Sequence, residues 1–293
     1  MSYDSMSNCI DRKGLIVMSA APSSSAPAGL FTPWRPVAAA LWSFWTEGRR
    51  VERVCYLIGG VLFLSGLFHL AVFAVDGGPW EGPVSWRKPT TFGLSFGLTL
   101  ITIAWVASFL RLGGRARTAL LSVFAAACVA ETAMIGIQAW RHVPSHFDME
   151  TPLNTVISML LAGGGGVLIV ILVTLTVRAF GENPGVPAST RLALRAGFTT
   201  LLIALASGAI MIARGVVLVR TGHQQAAYAA GGFLKPVHAV TMHGILVLPG
   251  LAWLLSFKNT SESRRTRVIA WTTTAYAVAI AAVIVFSVTR SMA

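Results

Sequence analysis

VCYLIGGVLFLSGLFHLAVFAV, residues 54–75, decides the fold: its 22 residues hold no Asp, Glu, Lys or Arg, and one histidine, His69. A bilayer core of roughly 30 Å needs about twenty helical residues at a rise near 1.5 Å each. A run this long and this apolar therefore reads as a membrane-crossing helix. Working outward, six further runs of that kind lie at 90–110, 118–140, 153–177, 196–219, 238–257 and 268–289. Turn-forming stretches separate them: DGGPWEGP at 76–83, RLGG at 111–114, HVPSH at 142–146, ENPGVP at 182–187 and TGHQQAAYAAGGFLKP at 221–236. Lipid offers the backbone no partners, so the spans must be helices or closed strands, and these lengths fit helices.

The expected fold is an all-α, polytopic bundle of about seven transmembrane helices over 53–293. An interfacial amphipathic segment at 34–52 and a flexible tail at 1–33 precede it. The segment WRPVAAALWSFWTEGRR sets Trp34, Leu41, Trp42 and Trp45 beside arginines, which suits a helix lying on the membrane surface. The tail is rich in Ser, Ala, Pro and Gly and has no apolar run ending in a small-residue cleavage site, so no cleaved signal peptide is expected; Met18 is an alternative start. Cys9, Cys55 and Cys128 form no CxxC pair, and a disulfide framework is not expected.

The chain is 55% hydrophobic and 12% charged, which excludes a soluble domain, and its net charge of +12 is placed by topology rather than by nucleic acid. Arg49, Arg50, Arg53, Arg111, Arg115, Arg117, Arg178, Arg191, Arg195, Lys258, Arg264, Arg265 and Arg267 all fall outside the spans on one side. By the positive-inside bias that side is cytoplasmic, with the N-terminus inside and the C-terminus outside a cell membrane. Membrane lipid is the expected partner of these basic residues, and no nucleic-acid module is present.

On that topology all six histidines lie in the other half, whereas incidental histidines would scatter between the faces. His69 sits about 9 Å and His243 about 7 Å below the outer ends of their spans, at similar depth. They are the best pair of imidazoles to hold a cofactor from opposite sides. His238 and His243 are five residues apart, about 140° around a helix, so only one of them points at a given centre; His243 is the expected inward member. His142 and His146 have the i, i+4 spacing of a helical metal pair, although Pro144 lies between them. Glu131, Gln138 and His142 share a helical face, and Ser65 lies one turn below His69. Arg214, above Met211 and Ser207, has Glu131 as its expected partner across the bundle. The loops WEGPVSWRKP at 80–89 and RHVPSHFDMETPLN at 141–154 add Arg87, Lys88, Arg141, Asp148 and Glu150 among aromatics.

These residue types point to a membrane oxidoreductase. His69 and His243 would ligate a haem, or His69, His142, His146, His238 and His243 would supply ligands to iron, copper or zinc, for redox or oxygenation chemistry on a lipophilic substrate with a possible redox partner. Glu131, Arg214 and Asp148 are the candidate catalytic groups. Glycines at Gly93, Gly97 and Gly163–Gly166 would admit a flat ligand or a close backbone. Two alternatives use the same residues: a proton-coupled transporter with Glu131, Arg214 and the histidines as a relay, and a zinc-dependent lipid hydrolase with Glu131 or Asp148 as base. No HExxH signature supports the hydrolase. A retinal protein is excluded because no lysine lies mid-membrane, and a Ser145, His142 and Asp148 triad is excluded because all three share one short loop.

Overall fold

The computed structural model of the chain describes residues 35–230 and 232–292. The tail over 1–33 and Trp34 lie outside them. Among the described residues there are nine helices and no strand: α1 (Arg35–Thr46), α2 (Arg50–Asp76), α3 (Arg87–Ser108), α4 (Gly114–Trp140), α5 (Pro152–Phe180), α6 (Ala188–Arg220), α7 (Gln224–Ala230), α8 (Lys235–Ser256) and α9 (Glu262–Met292). Seven of them, all but α1 and α7, are long and apolar enough to cross a membrane. The protein is an all-α, multi-pass helical bundle. Helix α6 runs 33 residues, about 50 Å, and so exceeds the hydrocarbon thickness. It begins at Ala188 rather than at the expected 196, because helical backbone bonding is already in place there, with the Arg191 N–H donating to Pro187 O at 2.9 Å. Helix α7 forms in a stretch read as loop, where QQAAYAA supplies good helix formers.

Two helix pairs anchor the bundle through backbone contact. A Cβ on Gly66 of α2 would lie 2.5 Å from the Leu94 nitrogen of α3, and one on Gly93 would lie 2.6 Å from the Gly66 nitrogen. Here the glycines admit a neighbouring helix, as small residues do in membranes where packing rather than hydrophobicity drives association. In the second pair, a Cβ on Gly197 of α6 would lie 3.0 Å from the Ile245 Cα of α8. The core between these pairs is built by Leu100, Ile103, Leu121, Phe124, Leu175 and Phe198.

The helix ends divide by chemistry. At the arginine-bearing end, Glu52 of α2 meets Arg117 of α4 at 3.1 Å, with side chains only 4% and 3% exposed. The Arg117 guanidinium also donates to Ala107 O and to Leu110 O. Arg117 is therefore not the loop charge that the sequence implies; it locks α2 to α3 and α4. Phe44 of α1 reaches between Trp105 of α3 and Trp253 of α8, with ring centroids 6.1 and 5.8 Å away.

Candidate functional site

The histidine-bearing end is organised by the segment between α4 and α5. His142 and Phe147 adopt left-handed backbone, with φ of 54° and 65°, so the chain reverses after Trp140 instead of continuing the helix. His142 and His146 consequently do not form an i, i+4 helical pair. His142 packs edge-on to Trp86 at 6.2 Å, whereas His146 lies between Phe92 and Phe147. Its Nδ1 is 2.9 Å from the Ser145 hydroxyl. Burial, reinforced by the nearby Lys88 ammonium, holds the His146 imidazole down to about 3, so the ring is neutral.

Asp148, expected as a base, is 1% exposed and fully engaged. Its carboxylate accepts from Asn154 Nδ2 at 2.8 Å and from the Glu150 N–H at 3.0 Å. Asn154 in turn accepts from Arg141 at 2.8 Å, and Arg141 also donates to Gln138. The group closes a network that ties α4 to α5.

His69 is equally committed. Its Nδ1 lies 2.8 Å from Ser65 O, a pure acceptor, so Nδ1 carries the hydrogen; Nε2 then accepts from the Trp140 indole N–H at 3.2 Å. Trp86 stacks near it at 6.1 Å. Both nitrogens of a neutral ring are satisfied, leaving no lone pair for a ligand.

The two histidines of α8 are reversed relative to expectation. His238 turns toward α6, where its Nδ1 is 2.8 Å from Ala204 O and 3.3 Å from Ser207 Oγ. His243 is the exposed one. The cause is the packed face of α8, on which Val237, Thr241, Gly244 and Leu248 are buried at three- and four-residue spacing against its neighbours. His69 and His243 thus sit in separate surroundings, the first among α2 and α4 aromatics and the second on the α3 side of α8.

The expected Glu131 and Arg214 pair does not form. Arg214 is exposed and lies over the Phe233 ring at 4.8 Å, a cation–π contact reached by a long, flexible stem. Glu131 is 4% exposed, tucked against Gly164 of α5, and its Oε1 has no hydrogen-bond partner among the described residues. Of the glycines at 163–166, Gly164 makes room for this carboxyl group.

A groove between α3 and α8 also carries open polar chemistry. It is shallow and open to the surroundings, and is lined by Ser95, Leu98, Thr99, Thr102, Met242 and His243, among others. His243 Nδ1 donates to Ala239 O at 2.6 Å, which fixes the hydrogen there and leaves the Nε2 lone pair without a partner among the described residues. Ser95 and His243 each stand eight residues into helices that start at the same end, so both lie about 12 Å down. Sequence reasoning missed Ser95, Thr99 and Thr102, although their i, i+4, i+7 spacing places them on one face of a helix. Among the described residues no three His, Cys, Asp or Glu side chains converge as a metal cluster. No family model, curated protein or solved structure matches the chain.

Proposed function

We propose that the protein binds a lipophilic molecule within the cell membrane, in the groove between α3 and α8, and that His243 Nε2 is the group that addresses it. In this reading the arginine-bearing end faces the cytoplasm and the groove opens toward the lipid of the other half. The single observation that carries it is the free Nε2 lone pair of an exposed histidine at membrane depth, with its Nδ1 hydrogen already used on Ala239 O. An ionisable group facing hydrocarbon is costly unless a ligand, water or partner meets it. The hydroxyl-bearing face of α3 across the groove supplies further polar contacts for a molecule that is apolar over most of its length.

The redox or oxygenation chemistry expected from the residue types would run at this same nitrogen. Nε2 would then act as a single imidazole ligand to a haem iron or transition metal, not as half of a His69 and His243 pair. For a metal-free lipophile the same lone pair serves as a base or acceptor. The test is purification of the full chain in mild detergent, with an absorption spectrum, metal analysis and mass spectrometry of the organic extract, beside His243→Ala and Thr99→Leu. A lipophile near one per chain in the wild type, falling several-fold in both variants, is the expected result. Equal content in all three preparations sinks the reading.

A further inference from the structure

The groove lined by His243 is one part of a longer seam. Between helices α2–α5 and helices α6–α9 the main meetings are α5 on α6, which a short loop joins, and α3 on α8. The α3 and α8 contact is slight beside the close packing of α2 on α3 and of α6 on α8. At the arginine-bearing end α1 spans it. Phe44 stands 6.1 Å from Trp105 in the last turn of α3 and 5.8 Å from Trp253 in the last turn of α8. The two tryptophans are 6.2 Å apart, with Phe109 at 5.7 Å from the first and Phe257 at 5.0 Å from the second. The Trp105 indole N–H is enclosed and has no acceptor among the described residues. The closed seam therefore leaves a donor unsatisfied, and parting it lets an acceptor in.

Helix α1 touches the bundle with one face only. Val37, Ala40 and Phe44, at three- and four-residue spacing, are half-buried, and no residue of the helix is buried outright. The turn into α2 passes through Gly48, where a Cβ would collide with Phe44 O. On the outer flank Leu41 and Trp42 are 56% and 65% exposed. Arg35 ahead of them and Arg49 and Arg50 after them are exposed as well. An apolar flank set among arginines is complementary to an anionic leaflet, in which indole and aliphatic groups enter the boundary and guanidinium groups meet headgroup phosphate.

We propose that α1 is a clasp seated on anionic lipid. Leu41 and Trp42 rest in the leaflet at the arginine-bearing end while Phe44 keys α3 to α8, so that loss of anionic lipid withdraws Phe44 and lets the two helix ends separate. The clasp uses none of the groove residues and does not rest on the His243 reading, so either can fail alone.

The test uses the full chain with Cys9 replaced by serine, in nanodiscs of phosphatidylglycerol or of phosphatidylcholine. Spin labels are placed at Gly113→Cys, where an added side chain meets nothing within 4 Å, and at Asn259→Cys, an exposed position just past α8. Cys55 and Cys128 are buried, and the chain without the two introduced cysteines supplies the background. Pulsed electron–electron resonance then reads the distance between the α3 and α8 ends. A single narrow distance is expected for the wild type in phosphatidylglycerol, and a second, longer one with a several-fold larger share in phosphatidylcholine. Phe44→Ala should show the longer distance in both lipids. If Phe44→Ala does not fold, the largely exposed Trp42→Gln carries the test, and in phosphatidylglycerol it should behave as the wild type does in phosphatidylcholine. The proposal is overturned if Phe44→Ala keeps the single distance, if the wild type gives one distribution in both lipids, or if Trp42→Gln in phosphatidylglycerol matches the wild type there.

Discussion

Glu52→Gln should be among the most damaging single changes in the chain that touch no ligand. The carboxylate is 4% exposed and meets a guanidinium that is 3% exposed, so its loss leaves a buried cation whose remaining partners are Ala107 O and Leu110 O. Removing one member of a buried pair costs about 3–5 kcal/mol, against about 0–1 for a surface pair. Glutamine keeps an oxygen to accept the Arg49 N–H that Glu52 now receives at 2.9 Å, so the helix start is preserved and the charge is isolated. A loss of that size lowers the unfolding midpoint by on the order of 10 °C. The protein carries its own probe. Cys55 and Cys128 are free and buried, so a thiol-reactive dye reports opening of the bundle once Cys9 is replaced by serine. The double variant Glu52→Gln with Arg117→Met removes both charges and should regain most of the loss. A drop of under about 1 kcal/mol for Glu52→Gln, or a double variant worse than the sum of the singles, would refute the pairing argument.

Three more expectations follow from the packing. Glu131→Gln and Arg214→Ala should each change stability by less than about 1 kcal/mol and show no coupling in a double-mutant cycle by the same dye assay; strong coupling would mean the two side chains meet. Burial depresses His146 from 6.5 to about 3, so the unfolded chain takes up its proton first as pH falls. Stability is then full above about 6.5 and is lost progressively below it, by about 2 kcal/mol at pH 5, and His146→Leu should flatten that part of a pH–midpoint curve. Gly66→Leu forces α2 off the α3 backbone and should cost about 3 kcal/mol or more. Retention of the wild-type midpoint in that variant would argue that the two helices do not pack as described.

The seven spans were legible because a membrane makes each helix self-sufficient in hydrogen bonds, so composition and length alone mark it. Side-chain partners were not legible to the same degree. Glu52 and Arg117 are 65 positions apart in the chain, and both look like flanking charges until α2 and α4 are set side by side. Arg214 pointed on paper to the nearest carboxylate at its depth, yet its stem is long enough to leave the bundle and reach Phe233. For His238 and His243 the signal was present and misjudged. Thr241, Gly244 and Leu248 are the face that packs, His238 lies three residues before Thr241 on that same face, and His243 lies about 200° from Thr241 around the helix. Small residues predict which side a neighbouring helix occupies better than a polar residue does.

The same local device then gives two histidines opposite fates. His69 donates Nδ1–H to Ser65 O and His243 donates Nδ1–H to Ala239 O, each to the carbonyl four residues earlier. That bond is a property of the helix and is available to an imidazole at any depth. It satisfies the ring's one hydrogen and sets the tautomer, so the chemistry of each ring rests on what meets Nε2. In His69 a tryptophan from α4 supplies a donor and the ring becomes a packing element. At His243 the adjoining helix lines the same groove with Ser95, Thr99 and Thr102. An intramembrane histidine with a closed Nε2 is explained by the fold. One with an open Nε2 needs something from outside the chain, and this asymmetry, more than the count of histidines, directs attention to the α3 and α8 groove.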